Sequence, residues 1–285
     1  MTTQTLLLPQ EPAVPSRLEA ALSSRFLTPA LPAIEAFLLE VRAEIDARFL
    51  AAPEKLVRRK PYPVGYCLEI TDAVVEALGP RLRAPDHPGA RALRAYEAAG
   101  GRHRRIWGVL RERYFQNAMQ FGSLYIDVAN DTVTPTKPKV EILPMREAGM
   151  VAVRDFRHYA EIGALYWGRT IVANHALPEL APMYPMIAVA PDRRPTLHPT
   201  NGYMAEMIRR SGFTLSEQWV ADAPPPSAET VEALRALCPP DLLAANPAPG
   251  RDEAIAACRR ARTGKVLKSD TWRRAQFEAM SRIPR

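Results

Sequence analysis

Between Tyr114 and Val128 apolar and polar residues alternate with a period of two, interrupted at Gly122-Ser123. A strand pair satisfies that pattern, because side chains two residues apart on a strand share a face. Leu124, Ile126 and Val128 form one apolar row, which leaves Tyr125, Asp127 and Ala129 on the other face. On the first strand Phe115, Met119 and Phe121 are the apolar row, with Gln116, Ala118 and Gln120 opposite. Matching row to row puts Gln116 on the side of Asp127. A turn at Phe121-Gly122 sets Gln116 directly across from Asp127. A turn at Gly122-Ser123, with glycine first as a type II′ turn prefers, sets Ala118 there and Gln116 diagonally. In either register Gln116, rather than Asn117, is the expected partner of Asp127.

Helical periodicity flanks this hairpin. Ile34, Phe37, Leu38, Val41, Ile45 and Phe49 recur at three and four, and Ile70, Val74 and Leu78 mark an inward face that ends at Gly79-Pro80. Residues 89–99 read as a further helix. Strands are expected at Ile106–Leu110, Tyr114–Gln120, Leu124–Val128, Lys139–Leu143 and Met186–Val189, and Phe213–Val220 is strand-like. Asp155–Asn174 and Asn201–Arg210 read as helices, and only helical segments follow Ala223-Pro224-Pro225-Pro226-Ser227. Helices, then a small mainly antiparallel sheet, then a helical C-terminal region make the fold class α+β. The expected divisions are a flexible N-terminus over 1–16, a core over 17–222, a proline-rich linker over 223–228 and a basic helical tail over 229–285. Lys55–Pro63 reads as a basic, proline-broken connection.

The net charge of +7 is concentrated in residues 251–285, where ten Lys/Arg face four Asp/Glu. A patch such as Arg259-Arg260-Ala261-Arg262 could attract nucleic acid or an acidic protein, or be a solvated helix face. Cys67, Cys238 and Cys258 are odd in number, widely spaced and without a CxxC pair, which argues against a disulfide framework or a cysteine-rich zinc site. No stretch approaches the roughly 18 apolar residues of a membrane-spanning helix. The first residues lack a basic start and a long apolar run, so a cytoplasmic protein without membrane association is expected. There is no GxGxxG, no GxxxxGK[ST] and no HxxxH, and no cofactor or metal is expected.

Chemistry enters at Gly65-Tyr66-Cys67-Leu68-Glu69-Ile70-Thr71. A thiol at a helix start lies near unpaired backbone N–H groups, which lower its pKa and can hold an oxyanion. Equally, Cys67 shares a face with Ile70, Val74 and Leu78, as a small core residue would. A cysteine opening a helix, followed by a strand pair whose second strand ends in aspartate, resembles the transglutaminase-like branch of the papain-like superfamily. The Gly-Tyr-Cys-x-Glu run is similar to that of arylamine N-acetyltransferases. The resemblance covers about residues 60–145. It implies thiol-dependent acyl transfer or amide hydrolysis on an unidentified acyl or amide substrate, with Cys67 as nucleophile and Asp127 and Gln116 as orienting or polar groups in the cleft. The family's strand histidine is missing, because the matching stretch reads Tyr114-Phe115-Gln116-Asn117. Glutamine cannot take a proton from a thiol near neutral pH. His103 or another histidine reaching in from elsewhere, helix activation alone, or a non-catalytic binding groove are the three outcomes left open.

The five histidines invite bland roles: His103 in a solvated basic turn, His158 within and His175 at the end of a helix, His87 and His198 in proline-rich loops. Asn174–Pro185 could line a groove or simply staple a loop over the core.

Overall fold

A computed structural model describes residues 8, 10–52, 61–191, 193–198 and 201–284, the side chains of 265 and 268 excepted. Most of the connection expected at Lys55–Pro63, and of the N-terminal segment 1–16 its first seven residues and the ninth, lie outside the described residues. The fold is α+β and divides into two compact units, one over Gln10–Ala152 and the other mainly over Val153–Arg285. No helix among the described residues is long and apolar enough to cross a membrane.

In the first unit α1 (Arg17–Leu22), α2 (Leu31–Leu50), α3 (Cys67–Arg83) and α4 (Pro88–Ala98) precede five antiparallel strands. These are β1 (His103–Leu110), β2 (Tyr114–Phe121), β3 (Leu124–Asp127), β4 (Glu141–Pro144) and β5 (Met150–Val151), in the order β4-β3-β2-β1-β5. The apolar rows read from the sequence meet the helices: Met119, Phe121, Leu124, Ile126 and Val128 share one core with Ile34, Phe37, Leu38, Val41, Ile70, Val74 and Leu93. Phe121 pairs with Leu124, so Gly122 and Ser123 make the turn and Gln116 sits diagonal to Asp127. Gly122 has φ +53°, as the first position of that turn demands. The helix expected to stop at Gly79-Pro80 instead runs on to Arg83. Burial of Leu82 in the core offsets the hydrogen bond that Pro80 cannot make.

A buried polar cluster ties α2 to the loop after β3. Arg42 is fully buried, donates Nη1 and Nη2 to the two Asp131 oxygens at 2.8 and 3.0 Å, and reaches Val128 O and Asp46 Oδ1 at 2.8 and 2.7 Å. Tyr62 and Lys139 also donate to Asp46. Burial works against ionisation of Asp46, but the donors from Lys139, Tyr62 and Arg42 outweigh it and hold the carboxyl below its ordinary range.

The second unit holds α5 (Phe156–Trp167), a three-stranded antiparallel sheet of β6 (Thr170–Ala173), β7 (Met186–Ala190) and β8 (Arg193–His198), and helices α6 (Gly202–Arg210), α7 (Thr214–Asp222), α8 (Ala228–Ala236), α9 (Pro240–Ala245), α10 (Arg251–Thr263) and α11 (Asp270–Ser281). Here sequence and structure differ in three places. The helix expected through Asn174 ends at Trp167, where Gly168 adopts φ +62°, and the β-branched run Thr170-Ile171-Val172 then forms β6. The strand-like Phe213–Val220 is helix α7, its buried Ser216 and Val220 one turn apart. Arg193–His198 is a strand although it carries Pro195. The proline-rich segment 223–227 runs within this unit, and Pro224 O accepts from Ala173 N at 2.9 Å.

Candidate functional site

Cys67 is the first residue of α3, reached through a tight turn in which Gly65 has φ +82°. A residue with a Cβ would be strained at that φ. The Gly65 N–H donates to Thr132 O at 2.8 Å, and Thr132 follows Asp131. The Arg42 cluster therefore fixes the approach to Cys67 through two adjacent residues. One helical turn apart, Cys67 and Thr71 both meet Asn117 of β2: the Asn117 amide donates to Cys67 Sγ at 3.6 Å, and Thr71 Oγ1 donates to Asn117 O at 3.2 Å. Trp107 pairs with Asn117 across β1 and β2 and stacks on Phe115 at 5.3 Å, so an aromatic pair shares this face.

Asp127 belongs to a different setting. It is fully buried and accepts from Gln116 Nε2 at 2.7 Å, Tyr125 OH at 3.0 Å and the Ala129 N–H at 2.7 Å. Successive residues on a strand point to opposite faces, so Gln116 and Asn117 aim oppositely from β2. Gln116 and Asp127 are joined as expected, whereas Cys67 is joined to Asn117 on the opposite face. The sequence-predicted site residues thus form two groups, with the sheet between them. Strand alternation holds the signal for Asn117, which needed only the additional fact that α3 packs on the apolar face.

Electrostatics separate the two groups further. Burial raises the Cys67 thiol above its ordinary value; the Asn117 amide and N–H oppose this, and the negative charges of Asp127 and Glu69 add to it. Cys67 keeps part of its surface exposed, but dehydration around the sulfur outweighs its helix-start position. Burial also pushes the Asp127 carboxyl up to about 6, against the pull of Gln116, Ala129 and Tyr125. Gln116 Oε1 is buried without a hydrogen-bond partner among the described residues.

Every histidine is engaged elsewhere. His87 caps α4, its Nδ1 accepting from Gly89 N at 3.0 Å, and stacks on Phe37. His103 is exposed, as expected, but opens β1 rather than lying in a turn: it stacks on Phe121 at 4.8 Å with Nδ1 2.5 Å from Glu97. In the second unit His158 Nδ1 accepts from Arg154 N, His175 Nε2 lies 2.8 Å from Val220 O, and His198 Nδ1 lies 3.0 Å from Tyr159 OH. All three are buried, so His175 takes no surface role. Asn174–Pro185 is a stapled loop: buried Asn174 donates to Leu177 O and Tyr184 O and accepts from Leu177 N. No group of three His, Cys, Asp or Glu among the described residues could hold a metal ion.

The basic C-terminal segment is largely engaged within its own unit. Arg259 and Arg262 pair with Glu217 at 2.8 and 2.6 Å, Arg260 with Glu179, Arg273 with Asp270, and Arg282 with Asp241 at 2.6 Å. Comparison with protein families, with curated proteins and with solved structures gives no match to this chain.

Proposed function

We propose that the Gln10–Ala152 unit is a non-catalytic relative of the transglutaminase-like scaffold and that the protein acts by binding rather than by thiol chemistry. One observation carries this: the Cys67 sulfur faces the Asn117 carboxamide where a thiol enzyme needs a base. A carboxamide neither accepts a proton from a thiol nor stores one for the leaving group. Burial acts in the same direction by disfavouring the thiolate. The acyl-transfer reading retains the support of Cys67 opening a helix after a glycine turn, but the protein's histidines have other partners and Asp127 serves the opposite face. Binding of nucleic acid through residues 251–285 has less support, because Glu217, Glu179 and Asp241 offset half of that excess charge.

The test is a pre-steady-state assay with p-nitrophenyl acetate at pH 7.5. Wild-type protein and Cys67→Ala should release p-nitrophenolate at the same slow rate, with no burst stoichiometric with protein. A burst present in the wild type and absent from Cys67→Ala would overturn the proposal. Asn117→His should raise the Cys67-dependent rate, because it sets an imidazole in the place of the amide.

A further inference from the structure

A second feature lies wholly within the Val153–Arg285 unit. Helices α5 and α7 flank a cleft of about 710 Å³, a volume within the usual range for ligand sites. Phe156, Ala160 and Ala164 line it from α5, Leu215 and Trp219 from α7, and Ile171 from β6.

β6 is an edge strand of its sheet among the described residues. The Asn174 N–H points across to Pro185 O, continuing the β6–β7 register, whereas the Ala173 N–H points the other way and donates to Pro224 O. Backbone groups alternate in direction along an antiparallel strand. Ile171 therefore turns its N–H and C=O away from β7, on the side of Ala173, and no described residue bonds to either there. Ile171 is 5 % exposed. A buried peptide group left without a partner is unfavourable, and an open strand edge recruits another strand.

Charge adds a preference. Asp155, Glu161 and Asp222 line the cleft against one cation, Arg157. Glu161 and Asp222 are exposed and form no ion pair among the described residues. We propose that this cleft binds a short extended peptide, which pairs one residue's backbone with Ile171, lays an apolar side chain against Trp219 and Leu215, and sets a lysine or arginine beside Glu161 and Asp222. The peptide is short because Pro224 O already occupies the next position on the edge. Strand addition of this kind takes affinity from main-chain bonds and specificity from side-chain pockets. The assignment does not rest on Cys67, so a Cys67-dependent ester burst would leave it untouched.

Calorimetric titration of the full chain tests it, with acetylated and amidated Ala-Leu-Lys-Ala, its Ala-Leu-Glu-Ala counterpart, the lysine peptide N-methylated at leucine, and n-butylammonium as probes. The lysine peptide should bind saturably at one site. The glutamate and N-methylated peptides should each bind about tenfold more weakly or worse, a difference of about 1.4 kcal/mol. Ala164→Trp, on an exposed position of the cleft wall, should remove binding while leaving the melting temperature in place. Glu161→Gln combined with Asp222→Asn should narrow the gap between lysine and glutamate peptides. Absence of saturable binding, equal binding of the N-methylated peptide, or binding indifferent to Ala164→Trp would overturn the proposal. Equally tight binding of n-butylammonium would also overturn it, by marking a site for small cations.

Discussion

Asp127 has exchanged water for three protein donors, and its pKa records the exchange. The carboxyl stands at about 6 against an ordinary 3.8, so its charged form carries a penalty of about 3 kcal/mol. Because the folded value is the higher one, the folded state binds the proton more tightly. The resulting stability is complete below about 3.8 and is lost as pH rises through about 6. Wild type should therefore gain about 2 kcal/mol over Asp127→Asn between pH 7 and pH 4, measured by urea unfolding, since other groups cancel in the difference. A wild type that loses ground over that interval would show a carboxylate stabilised in its charged form. The Gln116–Asp127 pair was legible from strand alternation alone. The Cys67–Asn117 pair was not, since which helix covers the apolar face is a tertiary fact that local periodicity does not contain.

At the scale of elements, α2 illustrates what a hydrophobic pattern omits. Its apolar spacing predicted the helix and its buried side, and both Arg42 and Asp46 lie on that side. Arg42 satisfies two carboxylates and a carbonyl, and through Asp131 and Thr132 it braces the turn that introduces Cys67. Arg42→Met should destabilise the protein by about 3–5 kcal/mol, because Asp131 would be left buried without its cation while Asp46 kept only Lys139 and Tyr62. Arg42→Lys should recover only part of that loss, since an ammonium group cannot match the two-pronged contact with Asp131. Denaturation midpoints of both variants check the order; a harmless Arg42→Met would mean that the carboxylates find water. The differences at α5–β6 and α7 share a cause: short apolar runs fit helix and strand alike. At Pro80 only the length of the helix differs, and burial of Leu82 accompanies the extension.

On the scale of the whole molecule, residues 251–285 are part of a packed unit. Ala254 and Cys258 of α10 form a small core with Val220 of α7 and Ala181, and burial pushes the Cys258 thiol up to about 12. Deleting 251–285 should thus lower the melting temperature of the second unit by several degrees or unfold it, as calorimetry would detect. Arg274→Glu, at an exposed position of α11, should leave the melting temperature within about a degree, as surface substitutions generally do. An unchanged melting curve after the deletion would mean that the segment is an appendage. Proline clustering at 223–227 suggested a linker, yet one of those prolines caps a strand edge. Composition reports stiffness and not where the stiff piece packs.

The state of the Cys67 thiol bears most directly on whether this scaffold is catalytic. Its alkylation by iodoacetamide, followed by mass spectrometry of the Cys67 peptide from pH 5 to pH 10, reads that state without a substrate. The rate should climb with pH without a plateau below 9.0, the ordinary thiol value, and at pH 7 should fall below that of glutathione. A rate that levels off below pH 7 and exceeds glutathione there would reveal an activated thiolate and contradict the account.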